Sequence, residues 1–156
     1  MNIAEFKEFI SHSEEETEKF AGQLAASLPP GSVLALSGDL GAGKTVFSRG
    51  FAHGLGIAEP VSSPTYTIIQ EYQRPGGGWF FHMDLYRIGD ARSALDFGID
   101  EYLEDPTAWC IIEWAERITG ILPASTIHLQ IDILPGDSRK FSINPTSAHQ
   151  KKRNFF

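Results

Sequence analysis

The spacing of apolar residues predicts two amphipathic helices in the first part of the chain. Both segments repeat a large apolar side chain at every fourth position, which places these side chains on one helix face. In segment 13–28 the repeating residues are Phe20, Leu24 and Leu28. In segment 46–55 they are Phe47, Phe51 and Leu55. Ser13 and Glu16 have the spacing of a capping box at the start of the first helix, and Gly56 is a typical C-terminal cap for the second.

Further segments have the composition of strands. Segments 32–37 and 108–114 are largely apolar runs, which is typical of strands buried on both faces of a sheet. Segments 68–72 and 79–86 are rich in aromatic and β-branched residues and flank the glycine-rich turn 74–78. Because a link this short cannot form a parallel crossover, these two strands must be antiparallel neighbours. The pattern therefore predicts a mixed sheet.

The remaining segments complete the predicted order of elements. Segment 89–104 is predicted to be helical or irregular, with three apolar residues on one face: Leu95, Ile99 and Leu103. A short helix is expected over 115–121, before Pro123. Segment 126–133 alternates apolar and polar residues and turns back into 140–144. This last hairpin is expected at a sheet edge or within a meander.

A complete phosphate-loop motif lies between the strand at 32–37 and the helix at 46–55. Its sequence is Gly38-Asp39-Leu40-Gly41-Ala42-Gly43-Lys44-Thr45, which matches G-x-x-x-x-G-K-S/T. Strand, loop and helix in this order are the setting that the motif requires. We therefore predict an α/β protein with a single P-loop NTPase-like domain over 1–144, a mixed sheet with flanking helices, and a flexible tail over 145–156.

The residue types of this motif suit the binding of a polyphosphate. Gly38, Gly41 and Gly43 allow the tight turn and the close approach of backbone N–H groups to phosphate oxygens. Lys44 is expected to reach the β- and γ-phosphates, and the Thr45 hydroxyl is expected to ligate the bridging magnesium ion. The helix that follows favours an anion at its N-terminus.

Two carboxylates are candidates for the second acidic contribution that such a loop needs. Glu113 ends an apolar strand, where ligands bind in α/β sheets. Asp84 lies near the end of the strand at 79–86 and is the alternative. Either residue could instead have a structural role, and Arg87 could simply pair with Asp84. Thr65 lies where related hydrolases carry a loop that senses the γ-phosphate, although a threonine in a strand needs no such role.

Charge and composition limit the partners that the protein can bind and the cellular compartment in which it is expected. The formal net charge of −7 argues against a protein that grips nucleic acid by itself, and the basic residues 151–153 form only a short terminal cluster. No apolar run approaches the roughly 20 residues that span a bilayer, and the start of the chain lacks signal-peptide features. These features predict a cytoplasmic protein. Cys110, the single cysteine, is expected to be a small buried apolar residue.

Other classes of nucleotide-dependent protein fit these motifs less well. A small-molecule kinase of the P-loop class is the main alternative, since it would share the loop, the magnesium ion and the sheet. Such enzymes usually carry an arginine-bearing lid and an acceptor pocket, and no segment looks large enough for both. A GTPase is less favoured because the chain has no Asn-Lys-x-Asp and no Asp-x-x-Gly sequence. The histidines show no pair at zinc-ligand spacing.

Four blocks in this order resemble the TsaE family, also called YjeE, the bacterial ATPases of tRNA threonylcarbamoyladenosine synthesis. The likeness extends from about Ser13 to Ile133, and Val46 and Met83 replace residues that are common in the family. The blocks are the phosphate loop 38–45, Ser63-Pro64-Thr65-Tyr66-Thr67, His82-Met83-Asp84-Leu85-Tyr86-Arg87 and Ile112-Glu113-Trp114.

The resemblance implies a biochemical setting. Members of the family have a compact P-loop fold, hydrolyse ATP weakly alone and work with the TsaB and TsaD proteins. TsaD transfers a threonylcarbamoyl group to an adenosine in the anticodon loop of tRNA, and the ATP cycle of TsaE is thought to reset that complex. The resemblance therefore implies ATP and Mg²⁺ as cofactors, TsaB and TsaD as partners, and contact with tRNA only through the complex.

The resemblance also implies roles for individual residues. Thr45 and Glu113 would bind magnesium, Lys44, Asp84 and Glu113 would support hydrolysis, and Thr65 would lie in a switch-like loop. The residues expected at the nucleotide are Glu15, Gly38, Gly41, Ala42, Gly43, Lys44, Thr45, Val46 and Glu116.

Overall fold

One mixed sheet organises the protein, and the computed structural model describes residues 7–144. The strands of this sheet are β1 (Glu8–Ser11), β2 (Val33–Ser37), β3 (Ile69–Gln73), β4 (Trp79–Asp84), β5 (Ala108–Glu113), β6 (Ile127–Ile133) and β7 (Arg139–Asn144). They are arranged in the order β1-β7-β6-β2-β5-β4-β3. β2 pairs in parallel with β5 and β6, and β4 pairs in parallel with β5. The other pairs are antiparallel, which confirms the predicted mixed sheet.

Helices cover both faces of the sheet. The helices are α1 (Glu14–Ser27), α2 (Lys44–Gly54), α3 (Ala91–Asp96) and α4 (Ile99–Leu103), with a 3-10 segment over Ala115–Ile121. Because side chains alternate along a strand, β2 contributes to two separate cores. Leu34 and Leu36 pack with α1 and α2, while Val33 and Ala35 pack with α3, α4 and the 3-10 segment. The α/β fold class is confirmed.

Two predictions about local structure need correction. The apolar face expected over 89–104 is broken, because Gly98 adopts a φ of 85° and separates α3 from α4. Leu95 is consequently 45% exposed, whereas Ile99 and Leu103 are buried. The last hairpin was expected at a sheet edge or within a meander, and the edge alternative is wrong, because β1 pairs with β7 and is itself the edge strand.

Cys110 is buried in β5, as expected from its apolar neighbours. Burial raises the pKa of its thiol to about 12, because the thiolate would have to exist away from water. The thiol therefore stays protonated and unreactive at neutral pH. Within residues 7–144, no helix is long and apolar enough to cross a membrane. The predicted flexible tail and the basic cluster at 151–153 lie outside the described residues.

Glycines allow α1 and α2 to pack closely against each other. A Cβ atom built on Gly50 would lie 2.4 Å from the carbonyl oxygen of Glu18 and 2.5 Å from its Cα. A Cβ built on Gly54 would lie 2.4 Å from the carbonyl oxygen of Gly22. These neighbouring atoms belong to the backbone, so a side chain at either position would push the two helices apart.

We therefore expect Gly50→Ala to lower the free energy of unfolding. Forcing the helices apart costs about 1–3 kcal/mol, which exceeds the ~1 kcal/mol that alanine normally gains over glycine in a helix. Urea denaturation would measure the change. Gly89→Ala is the matched control, because no atom lies within 4 Å of its added Cβ. A Gly50→Ala protein as stable as the parent would contradict this account of the helix contact.

Candidate functional site

A cleft of about 990 Å³ lies at the carboxyl ends of the parallel strands. Its walls come from the phosphate loop, the starts of α1 and α2, the segment before β3, the ends of β4 and β5, and the turn between β6 and β7. The lining residues are His12, Ser13, Glu14, Thr17, Leu40, Gly41, Ala42, Gly43, Lys44, Thr45, Val46, Ser63, Thr65, Asp84, Tyr86, Glu113, Trp114, Asp137 and Arg139.

The phosphate loop uses its glycines in two different ways. Gly41 and Gly43 have φ angles of 83° and 105°, a conformation that favours glycine, and Gly43 is the N-cap of α2. Gly38 is outside this region of φ and does not line the cleft among the described residues. A Cβ at Gly38 would instead lie 2.8 Å from the carbonyl oxygen of Ile131. Gly38 is thus required for close packing against β6 and not for backbone freedom.

Lys44 is held inside the loop. The residue is 8% exposed, and its Nζ donates a hydrogen bond of 2.9 Å to the carbonyl oxygen of Gly38. Nζ also lies 4.8 Å from the centre of the Trp114 ring, a cation–π distance. Trp114 has a φ of 62°, and this left-handed conformation follows directly after the end of β5. The cation therefore lies in the cleft between the loop and the end of β5.

The two candidate carboxylates lie side by side. Asp84 and Glu113 are paired residues in the register of β4 and β5, and each is 4% exposed. Both line the same cleft as Lys44 and Thr45. The parallel register brings together residues that are far apart in the chain, so that hydroxyl, ammonium and carboxylate groups share one cavity.

Hydrogen bonds fix the orientation of Asp84. Its Oδ1 accepts from the backbone N–H of Tyr86 at 3.0 Å, and its Oδ2 accepts from the Thr65 hydroxyl at 3.2 Å. The suggested pairing of Arg87 with Asp84 is wrong, since among the described residues Arg87 forms no ion pair with it. Arg87 lies instead 4.6 Å from the centre of the Tyr66 ring.

Glu113 has a different partner. Its Oε2 lies 2.8 Å from Nε2 of His82, which is fully buried in β4. No sequence motif predicted this contact. It depends on the register between the strands, in which His82 lies opposite Ile111, two residues before Glu113.

The segment before β3 joins the cleft through Thr65. The Thr65 hydroxyl is 2.7 Å from that of Ser63, in addition to its bond to Asp84. Among the described residues that line the cleft, Thr67 is absent. Ile68 has a φ of 69°, which is rare for a β-branched residue, so the segment enters β3 through a strained backbone.

Some residues that line the cleft differ from those that the sequence predicted at the nucleotide. Among the described residues that line it, Glu14 is present and Glu15 and Glu116 are not. The sequence did not predict that Arg139 lines the cleft. Its Nε donates a hydrogen bond of 3.1 Å to the carbonyl oxygen of Ala42, and its Nη2 donates one of 3.3 Å to the carbonyl oxygen of Gly41. An arginine in a hairpin carries no local signal for such a contact.

The residues of the cleft fit a magnesium ion that arrives with a nucleotide. Within the described part of the chain, no group of three or more His, Cys, Asp or Glu could hold a metal by itself. Mg²⁺ prefers oxygen ligands and usually takes one or two from the protein, completing its shell with water and phosphate. The Thr45 hydroxyl and the carboxylates of Asp84 and Glu113 are ligands of this type. The open space above Gly41 and Gly43, where an added Cβ would meet nothing within 4 Å, leaves room for phosphates.

Comparisons with known proteins identify a family for this chain. A family model described as "Threonylcarbamoyl adenosine biosynthesis protein TsaE" matches residues 11–141. The tRNA threonylcarbamoyladenosine biosynthesis protein TsaE of Bacillus subtilis (strain 168) is 45% identical over 128 residues, which cover 82% of this chain and 78% of the relative. The protein of the same name from Treponema pallidum (strain Nichols) is 36% identical over 134 residues, covering 86% and 97%. The crystal structure of Bacillus subtilis YdiB is similar with a TM-score of 0.75 and 36% identity, over 93% of this chain and 88% of that one.

Proposed function

Since the chain belongs to the TsaE family, we propose that it is a weak, Mg²⁺-dependent ATPase of tRNA threonylcarbamoyladenosine synthesis that acts on a complex of TsaB and TsaD. Contact with tRNA is then made through that complex, in keeping with the formal net charge of −7. The observation that carries the ATPase proposal is the meeting of Lys44, Thr45, Asp84 and Glu113 in one cleft beside the phosphate loop.

Each of these groups has a defined task in the proposed reaction. The N–H groups at the start of α2 and the Lys44 ammonium bind the phosphates, and the ammonium leaves the carbonyl oxygen of Gly38 to do so. Thr45 and Glu113 would hold the magnesium ion, which would supply positive charge to neutralise the phosphates. Asp84, whose oxygens are already oriented by Thr65 and Tyr86, positions the attacking water.

The mouth of the cleft supports the proposed dependence on partner proteins. Leu40 and Tyr86, which line the cleft, are 90% and 55% exposed, and Tyr66, next to the lining residue Thr65, is 81% exposed. Tyr86 also packs at 5.1 Å against Trp114, which contacts Lys44. A partner that covers these side chains would exclude water from the cleft and order the segment that carries Thr65. Hydrolysis would then be slow in the isolated protein and faster in the complex.

The test compares the rate of ATP hydrolysis with and without TsaB and TsaD from the same source. We expect slow turnover alone and a several-fold increase when both partners are present. Bovine serum albumin at the same concentration is a control for non-specific stabilisation of the ATPase. Equal rates with and without the partners would count against the proposed action on that complex, while leaving the nucleotide site itself intact.

A further inference from the structure

A buried histidine contacts the end of β5 from the neighbouring strand. His82 is 0% exposed, and its Nε2 lies 2.8 Å from Oε2 of Glu113. The other ring nitrogen, Nδ1, is buried without a hydrogen-bond partner in the described part of the chain. Because an ionised carboxylate can only accept, Nε2 carries the hydrogen of this bond. The contact to Glu113 is therefore the polar interaction that orients the ring.

The sheet register explains how this contact arises. Asp84 is the direct neighbour of Glu113, and His82 lies two residues earlier on the same face of β4. Residues related in this diagonal way are within reach of each other when one side chain is long or aromatic. The ring stacks on Phe80 at 6.1 Å, which supports it from the side away from the cleft.

Burying a histidine at this position is energetically unfavourable. Its neighbours on the same sheet face, Phe80 and Ile111, belong to the apolar core. An imidazole here loses its hydration and leaves Nδ1 unpaired, which costs free energy that an apolar side chain would not cost. Packing alone does not account for a histidine here, whereas the hydrogen bond to Glu113 does.

We propose that His82 is a positioning residue, which holds the Glu113 carboxylate in the orientation that binds the magnesium ion of Mg-ATP. This inference rests on the proposed function. The bond from Nε2 occupies Oε2 of Glu113 and restricts rotation of the carboxylate, so that the other oxygen is held in a constant direction. Hydrogen bonds to metal-binding carboxylates commonly have this effect, and their loss weakens metal binding about 10–100-fold.

The experiment compares His82→Leu with His82→Gln. Leucine removes the donor, whereas the glutamine amide can place an N–H near the position of Nε2. We expect His82→Leu to raise the Mg²⁺ concentration for half-maximal hydrolysis about tenfold or more, and His82→Gln to restore much of it. In calorimetric titrations, the His82→Leu protein should bind ATP in EDTA with the affinity of the parent. Adding Mg²⁺ should increase its affinity for ATP less than it increases that of the parent.

Three further variants separate positioning from folding. His128→Leu removes another histidine with an unpaired buried nitrogen, in β6, and should leave the Mg²⁺ requirement unchanged. If His82→Leu does not fold, His82→Asn replaces it, because its shorter amide stays polar but cannot reach Glu113. In a Glu113→Gln background, replacing His82 by leucine should cause no additional loss of Mg²⁺-dependent binding.

The outcomes distinguish this inference from the proposed function. If the parent protein binds ATP more tightly with Mg²⁺ and the His82→Leu protein shows the same gain and the same half-maximal Mg²⁺ concentration, the positioning role is wrong and the ATPase proposal stands. If the parent shows no Mg²⁺-dependent binding of ATP, both are wrong. An additive loss in the Glu113→Gln background would also overturn the positioning role.

Discussion

Lys44→Ala is expected to reduce ATP hydrolysis by about a hundredfold or more, and to weaken the binding of ATP as well. Lys44 is 8% exposed, and its ammonium group already lies in the cleft, at 2.9 Å from the carbonyl oxygen of Gly38. A largely buried positive charge attracts phosphate oxygens more strongly than it would in water. Alanine removes this charge and leaves the rest of the loop in place.

The measurement is a calorimetric titration with ATP, followed by steady-state hydrolysis in the presence of TsaB and TsaD. Lys19→Ala is a suitable control, because Lys19 is an exposed helical lysine on α1 outside the cleft. It should behave like the parent. Thermal unfolding in the absence of nucleotide should show that both variants fold. The phosphate-loop assignment is falsified if the Lys44→Ala protein binds and hydrolyses ATP like the parent.

The parts of the fold that depend on local pattern were predictable from the sequence. The apolar runs become β2 and β5, and the glycine-rich turn joins β3 and β4 as an antiparallel pair. In each case neighbouring residues carry the physical cause, because a buried strand must be apolar and a short turn forbids a crossover. The same holds for Lys44 and Thr45, whose position follows from the order of strand, loop and helix.

Other features depend on residues that are distant in the chain. β1 becomes the edge strand through its pairing with β7, and Arg139, the first residue of β7, reaches the carbonyl oxygens of the phosphate loop. Gly38 was expected to provide backbone freedom, but its small size is required by the carbonyl oxygen of Ile131 in β6. Patterns within a window of residues contain no information about which strands become neighbours, so these contacts could not be derived.

The carboxylates of Asp84 and Glu113 were predictable from local sequence in one respect and not in another. Their position at strand ends was readable from the apolar runs that precede them. Their pairing opposite each other required the register of β4 against β5, which also brings His82 to Glu113. Whether Asp84 or Glu113 acts on the metal was left open by the sequence. We propose Glu113 as the metal ligand, because among the described residues both oxygens of Asp84 accept hydrogen bonds from protein groups, whereas Glu113 is bonded to His82 through Oε2.

Glu113→Gln is therefore expected to reduce Mg²⁺-dependent hydrolysis by about a hundredfold while leaving the affinity for ATP in EDTA close to that of the parent. Glutamine has nearly the same size, and its amide oxygen can still accept the hydrogen bond from His82. Glu113 is 4% exposed, so its carboxylate acts at close range in the cleft and is screened by water less than a surface charge would be. The variant removes this charge without removing packing, and the loss should be electrostatic.

The rate of hydrolysis is measured as a function of Mg²⁺ concentration, and calorimetry with ATP is performed with and without the metal. Glu101→Gln is the matched control, since Glu101 is an exposed carboxylate on α4, away from the cleft. Asp84→Asn provides a second comparison: it should lower the maximal rate more than it changes the Mg²⁺ requirement, because Asp84 is proposed to position water. If Glu113→Gln changes neither the rate nor the Mg²⁺ requirement, Glu113 has only a structural role. The metal would then have to be assigned to Asp84.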